Sequence, residues 1–366
     1  MKYRNIISVI VFALAIGCVS LGCILKPHTR YSESERRLLA EKPKLTTESF
    51  FSGTYSKEFE NYVTDQFVLR DNFRGVKAVF SEYVFNKMEN NGLFLREGHI
   101  SKLEYPVNNP MIDNAEQKLD HLYEKYMKDK NVNVYLSVVP DKNYFLAEKY
   151  GYPSIDYDEF INDFRNRMNY MNYIDIIPLL SIDDYYRTDS HWKQEKITDV
   201  AEHIAEKMGA DAKTGYKVNT LNHPFRGVYL GQSALPEKPD TIKYLTNDIL
   251  EKCKVEYYDT GAAKEGPIYN MEKAYGKDPY EMFLSGTAPL ITIENENSEN
   301  DRELILFRDS FGSSLAPLLV PGYRKITVVD IRYIQSDFLG NFIEFENKDV
   351  LFLYSTTILN NSMSMR

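Results

Sequence analysis

Leu304 to Leu319 reads LILFRDSFGSSLAPLL: an apolar run, then Asp309 and Ser310, then a stretch of small residues that turns apolar again. Glu303–Phe307 has the length and composition of a buried strand, and Phe311–Leu319 has those of a helix. Two more apolar runs follow, Lys325–Val329 and Val350–Tyr354, each read as a strand. Strands and helices alternating at this length predict an α/β fold, a mostly parallel sheet covered by helices on both faces.

The same pattern extends upstream. Val132–Val139, VNVYLSVV, is a β-branched run that stops at Pro140-Asp141-Lys142, as a buried strand entering a loop does. Asn114–Lys130, Asp158–Met168 and Gln194–Met208 carry helical periodicity, with a strand expected over Tyr173–Ile177. LFLREGHISKL, after Asn90-Asn91-Gly92, reads as a hairpin. Gly209 to Asn300 is richer in Gly, Pro, Asn and charge, with short strand-like pieces at Lys254–Tyr258 and Leu290–Ile293.

A chain of 366 residues with 43% hydrophobic content buries a sizeable core, and its net charge of -9 lacks the basic stripe that nucleic acid requires. The 28 tyrosines suit sugar-facing surfaces, but such an excess is more often strand and core composition. Of three cysteines, Cys18 and Cys23 fall in the N-terminal apolar run. Cys253 alone builds neither a disulfide framework nor a zinc cluster. No motif for a nucleotide, nicotinamide or metal is present, so no cofactor is expected.

Ile6–Leu25 is twenty residues without a charge, long enough as a helix to span about 30 Å of hydrocarbon. Lys2 and Arg4 before it favour a cytoplasmic amino terminus. The run is longer than a signal peptide's and Ser20 is unlike a lipoprotein signal before Cys23, so an uncleaved single-pass anchor is expected. Lys26 to Leu45 is charged and bounded by prolines, read as a stalk with a short helix. Phe50–Phe85 carries apolar residues at spacings of three and four, read as amphipathic helices.

In a parallel sheet, functional groups gather beyond the carboxyl ends of the strands, where Ser310 falls. A serine on a sharp turn between strand and helix presents its hydroxyl to a substrate while helix-start amides face an oxyanion. Asp309 and Ser310 also suit a plain helix cap. The second constellation is Thr188-Asp-Ser-His-Trp192. Serine needs an imidazole to accept its proton, and the imidazole needs an acceptor to fix its tautomer, roles that His191 and Asp189 supply from one loop. Read alone, His191 is equally a packed histidine and Asp189 a cap.

DSHW at 189–192, FRDSFGSS at 307–314 and VVDIRY at 328–333 resemble the DHHW family, which is related to the SGNH-hydrolase-like domains of alginate O-acetyltransferases of the AlgJ and AlgX type. SESERRLLAEKP after the anchor, VVPDKN at 138–143 and YEMFLSG at 280–286 add to the likeness. Ser190 replaces the second His of the family name, and Arg308 stands where SGNH esterases carry Gly.

The resemblance implies a flavodoxin-like three-layer domain over 91–366, after an anchor over 1–25 and a stalk with amphipathic helices over 26–90. It implies Ser310 as nucleophile, His191 as general base and Asp189 as orienting acid. The amides of Ser310 and Gly286 are assigned to the oxyanion hole, and Trp192 and Arg332 to substrate binding, although an arginine after a strand also suits an ion pair.

The implied reaction is O-acetylation of a cell-surface or wall polysaccharide outside the membrane, with a membrane-bound acetyl exporter as partner. Two alternatives stay open: an esterase using the same three residues, and a non-catalytic polysaccharide-binding or assembly protein whose Ser310 and His191 lie out of hydrogen-bond reach.

Overall fold

A computed structural model describes residues 2–259 and 261–366. The chain divides into two compact units, one formed by the residues up to Asn91 together with Leu230–Glu237, the other by Gly92–Tyr229 with Lys238–Arg366.

The first unit begins with helix α1, Lys2–Leu25. Its Tyr3–Leu25 stretch is long and apolar enough to cross a membrane, a test that a signal sequence also passes. Helices α2, Thr54–Asp65, and α3, Arg70–Val79, follow. The segment expected as a stalk with a short helix instead forms a two-residue antiparallel pair, Tyr31–Ser32 with Arg37–Leu38. Its charges find partners on the helices: Arg37 donates to both oxygens of Asp65 at 2.6 and 2.9 Å, and Arg70 lies 2.5 Å from Glu35.

In the second unit the sheet strands are β1 Val132–Val139, β2 Asn172–Tyr173, β3 Lys254–Tyr257, β4 Lys264–Glu265, β5 Leu290–Glu294, β6 Glu303–Arg308, β7 Lys325–Val329 and β8 Lys348–Ser355. Their order is β4-β3-β5-β7-β6-β8-β1-β2, parallel from β7 to β2 and antiparallel from β4 to β7.

Side chains alternate across each strand. Leu304 and Leu306 of β6 join one core with Val200, Ala201 and Ile204 of helix α6 (Thr198–Lys207) and Leu315 and Leu319 of helix α7 (Phe311–Leu319). Ile305 and Phe307 join the opposite core with Ile112, Leu119 and Leu122 of helix α4 (Asn109–Tyr126) and Phe160 and Phe164 of helix α5 (Tyr157–Arg167). Both faces are thus buried, and the fold is the expected three-layer α/β sandwich of the SGNH-hydrolase-like type.

The expected hairpin forms from Leu93–Arg96 and His99–Lys102 and turns at Glu97 and Gly98, both with positive φ. Two local expectations shift. The predicted helix from Gln194 opens as a single 3-10 turn before α6. A second hairpin, Lys217–Phe225 with Asp240–Thr246, lies in the region read only as short pieces.

Candidate active site

Strand β6 ends at Arg308 between β7 and β8, so Asp309 and Ser310 emerge at the carboxyl edge of the parallel strands. Asp309 is fully buried. Its carboxylate accepts from the amide of Phe311 at 3.0 Å, capping α7, and from the amide of Ser355 at 2.8 Å, tying the turn to the end of β8. With Asp309 as the cap, the hydroxyl of Ser310 makes no capping bond and meets His191 Nε2 at 2.7 Å.

His191 sits at the tip of a loop closed on itself, since Tyr186 N–H donates to the His191 carbonyl at 2.9 Å and Tyr185 bridges to Trp192. Its Nδ1 lies 2.6 Å from Asp189 Oδ1. Asp189 is buried, and its other oxygen accepts from the Val228 amide at 2.8 Å, which fixes the carboxylate against the ring. The structure thus brings Ser310, His191 and Asp189 into one hydrogen-bonded row.

Tyr280 lies flat on the imidazole, centroids 3.9 Å apart and planes 9° apart, and its hydroxyl reaches Ser314 Oγ at 2.9 Å. The loop is anchored from below by Asp240, whose carboxylate accepts from the Arg187 and Thr188 amides and the Thr188 hydroxyl at 2.6 to 3.1 Å. Lys142, from the loop after β1, donates to the carbonyls of Tyr186 and Arg187 at 3.0 and 3.2 Å. Asp240 and Lys142 escaped sequence reasoning because each acts through main-chain atoms of a loop remote in sequence. Tyr280 lay in a stretch noted only for likeness.

Three of the assigned residues do other work. Trp192 has no exposed surface, and its indole N–H donates to the Phe311 carbonyl at 3.1 Å and Ser314 Oγ at 2.9 Å. It locks the His191 loop onto α7 and touches no substrate. The Gly286 amide is not open to an oxyanion, because it closes a tight turn on the Phe283 carbonyl at 3.1 Å. Leu284, Ser285 and Gly286 all have positive φ there, and the Gly286 carbonyl accepts from Arg308 at 3.1 Å. Arg332 is largely buried, and its guanidinium donates to both oxygens of Asp330 at 2.9 and 2.7 Å, the carboxylate that also receives Arg308. This is the ion-pair alternative for Arg332.

Burial brings the Lys142 ammonium down to about 7. The neutral amine still carries enough N–H groups for its two carbonyl acceptors. A lysine with a depressed folded pKa binds fewer protons folded than unfolded between about 7 and its ordinary range, so stability rises with pH through that window. Relative to Lys142→Met, the native chain is expected to gain about 2 kcal/mol between pH 7 and pH 9. Denaturant titrations of both chains at several pH values check this; parallel curves would contradict it.

The fold is that of an SGNH-hydrolase-like α/β domain. Among solved structures, a DHHW family protein from Eubacterium siraeum matches with a TM-score of 0.62 and 26% identity, over 75% of this chain and 95% of that one. The resemblance to the DHHW family read from the sequence is thus accompanied by a likeness in fold to one of its proteins. Bacillus cereus PatB1 matches with a TM-score of 0.58 and 17% identity, over 73% of this chain and 96% of that one. PatB1 with a sulfonyl adduct matches at 0.56 and 18%, over 73% and 97%. No family model and no curated protein matches the chain.

Proposed function

We propose that this chain is a membrane-anchored, extracytoplasmic serine acyltransferase that moves an acetyl group onto a hydroxyl of a cell-surface polysaccharide. The observation that carries the reading is the row Asp189–His191–Ser310, with contacts of 2.6 and 2.7 Å. A non-catalytic relative has no need of that register.

In the first half-reaction His191 Nε2 takes the Ser310 proton as Oγ attacks the acetyl carbonyl, and the proton then passes to the departing donor group. The Ser310 amide, at the start of α7, faces the oxyanion. In the second, His191 removes the acceptor's hydroxyl proton, the acceptor oxygen attacks the acetyl-serine, and the proton returns to Oγ. Asp189 holds Nδ1–H throughout and stabilises the imidazolium.

We assign the acceptor to a cleft of about 530 Å³ whose lining includes Asp259, Lys264, Ser285, Thr287 and Tyr333, where the exposed Tyr333 ring offers a sugar a stacking face and the polar side chains offer hydrogen-bond partners. The Ser285 to Thr287 turn connects it through the Gly286 carbonyl to Arg308, two residues before Ser310. Helix α1 is the anchor, and a membrane-bound exporter supplies the acetyl group.

The test offers an acetyl ester donor with a panel of polysaccharides and measures acetylated polymer beside free acetate. Polymer acetylation above acetate release, lost in Ser310→Ala, is the expected result; acetate alone would make the chain an esterase. Tyr333→Ala is expected to raise the acceptor KM roughly tenfold, as loss of about 1.4 kcal/mol of stacking does, while formation of the acetyl-enzyme stays unchanged.

A further inference from the structure

Leu69, Phe73, Val76, Phe80 and Tyr83 recur at spacings of four, three, four and three along α3 and the π-helical turn Phe80–Val84 that continues it. That spacing puts them on one face, and each is 49% to 64% exposed. The polar residues do the internal packing: Ser81 is buried beside Ala78, and Arg74 donates to the carbonyls of Gly231 and Gln232 at 2.9 and 3.0 Å. An outward apolar stripe of this length marks a surface with a partner.

The end of α1 says which partner. A Cβ built at Gly22 would stand 3.4 Å from the Val68 side chain. The Val68 amide donates to Cys23 Sγ at 3.5 Å, and Lys26 Nζ donates to the carbonyls of Gln66 and Phe67 at 3.4 and 3.3 Å. Gly22 lies inside the apolar run, about 4.5 Å before its end at Leu25 by helical rise. The turn between α2 and α3 therefore sits at the depth of the last turn of the membrane-crossing helix, and Leu69 opens the stripe there. Beside it, Val63, Phe67 and Phe73 line a groove of about 860 Å³ together with Glu35, Arg70 and Arg74, the two arginines being paired with Glu35.

We propose that α3 and its π-helical extension lie on the lipid bilayer at the Leu25 end of α1, with the stripe in the boundary between headgroups and acyl chains. This is the arrangement of an in-plane amphipathic helix. The inference rests on the reading of α1 as a retained membrane anchor.

The test uses the full chain in vesicles of phosphatidylcholine and phosphatidylglycerol, with and without lipids brominated near the top of the acyl chain. Single tryptophans enter as Phe73→Trp, Val76→Trp and, in the anchor, Phe12→Trp; the native chain, whose Trp192 is buried, gives the baseline. The brominated lipid is expected to quench the added fluorescence of Phe73→Trp and Val76→Trp roughly twofold or more, as for a side chain at the acyl boundary. Quenching of Phe12→Trp without the other two would overturn the inference and give the stripe to a protein partner. No quenching at Phe12→Trp would overturn the anchor reading, and the inference with it.

Discussion

Asp189→Asn is expected to lower acetyl turnover by about 10⁴-fold with little change in thermal stability. The carboxylate holds His191 Nδ1 at 2.6 Å and accepts the Val228 amide at 2.8 Å. Asparagine keeps the shape, yet its oxygen accepts only one of these donors well without turning its NH₂ toward the other. With the NH₂ toward Nδ1, the imidazole carries its proton on Nε2, the wrong tautomer to take one from Ser310. The loss should therefore fall on the rate of serine acylation, with KM for the donor nearly unchanged. Single-turnover acylation rates with matched melting curves check it. A variant within tenfold of the native rate would remove Asp189 from the proposed mechanism.

Gly227→Ala is expected to cost about 10²-fold in the same rate, although residue 227 touches neither Ser310 nor His191. A Cβ there would stand 2.2 Å from the Thr188 carbonyl oxygen and 2.5 Å from Asp189 Cβ, far inside contact distance. The Gly227 amide also donates to Thr188 Oγ1 at 3.1 Å, so the two segments are held against each other and one must give. Movement of either segment draws the Asp189 carboxylate away from the Val228 amide that fixes it. A displacement near 1 Å breaks the alignment between His191 and Ser310 while the sheet stays intact. Acylation kinetics alongside circular dichroism separate the two effects; full activity in a folded variant would contradict the account.

Much of the fold was legible because a sheet buried on both faces writes itself as apolar runs. Val132–Val139, Phe311–Leu319 and Lys325–Val329 fall at their expected bounds. The strand Lys217–Phe225 was not legible: only Leu221 and Phe225 are buried, and a register shift between Thr220 and Pro224 breaks the alternation. At the site, Ser310, His191 and Asp189 had a signal because strand, turn and helix fixed one and a two-residue spacing joined the others. The amides of Gly227 and Val228 have no side-chain signature at all. Trp192, assigned to substrate binding, instead has its N–H spent on α7, a contact across 119 residues that the sequence does not display.

The central claim is that Ser310 becomes acetylated through His191. Intact-mass analysis of the full chain after exposure to an acetyl ester, beside Ser310→Ala and His191→Ala, tests it most directly. An acetyl adduct on the native chain that maps to Ser310 and is absent from both variants is the expected result. An adduct that persists in both, or ester turnover that survives both substitutions, would contradict it.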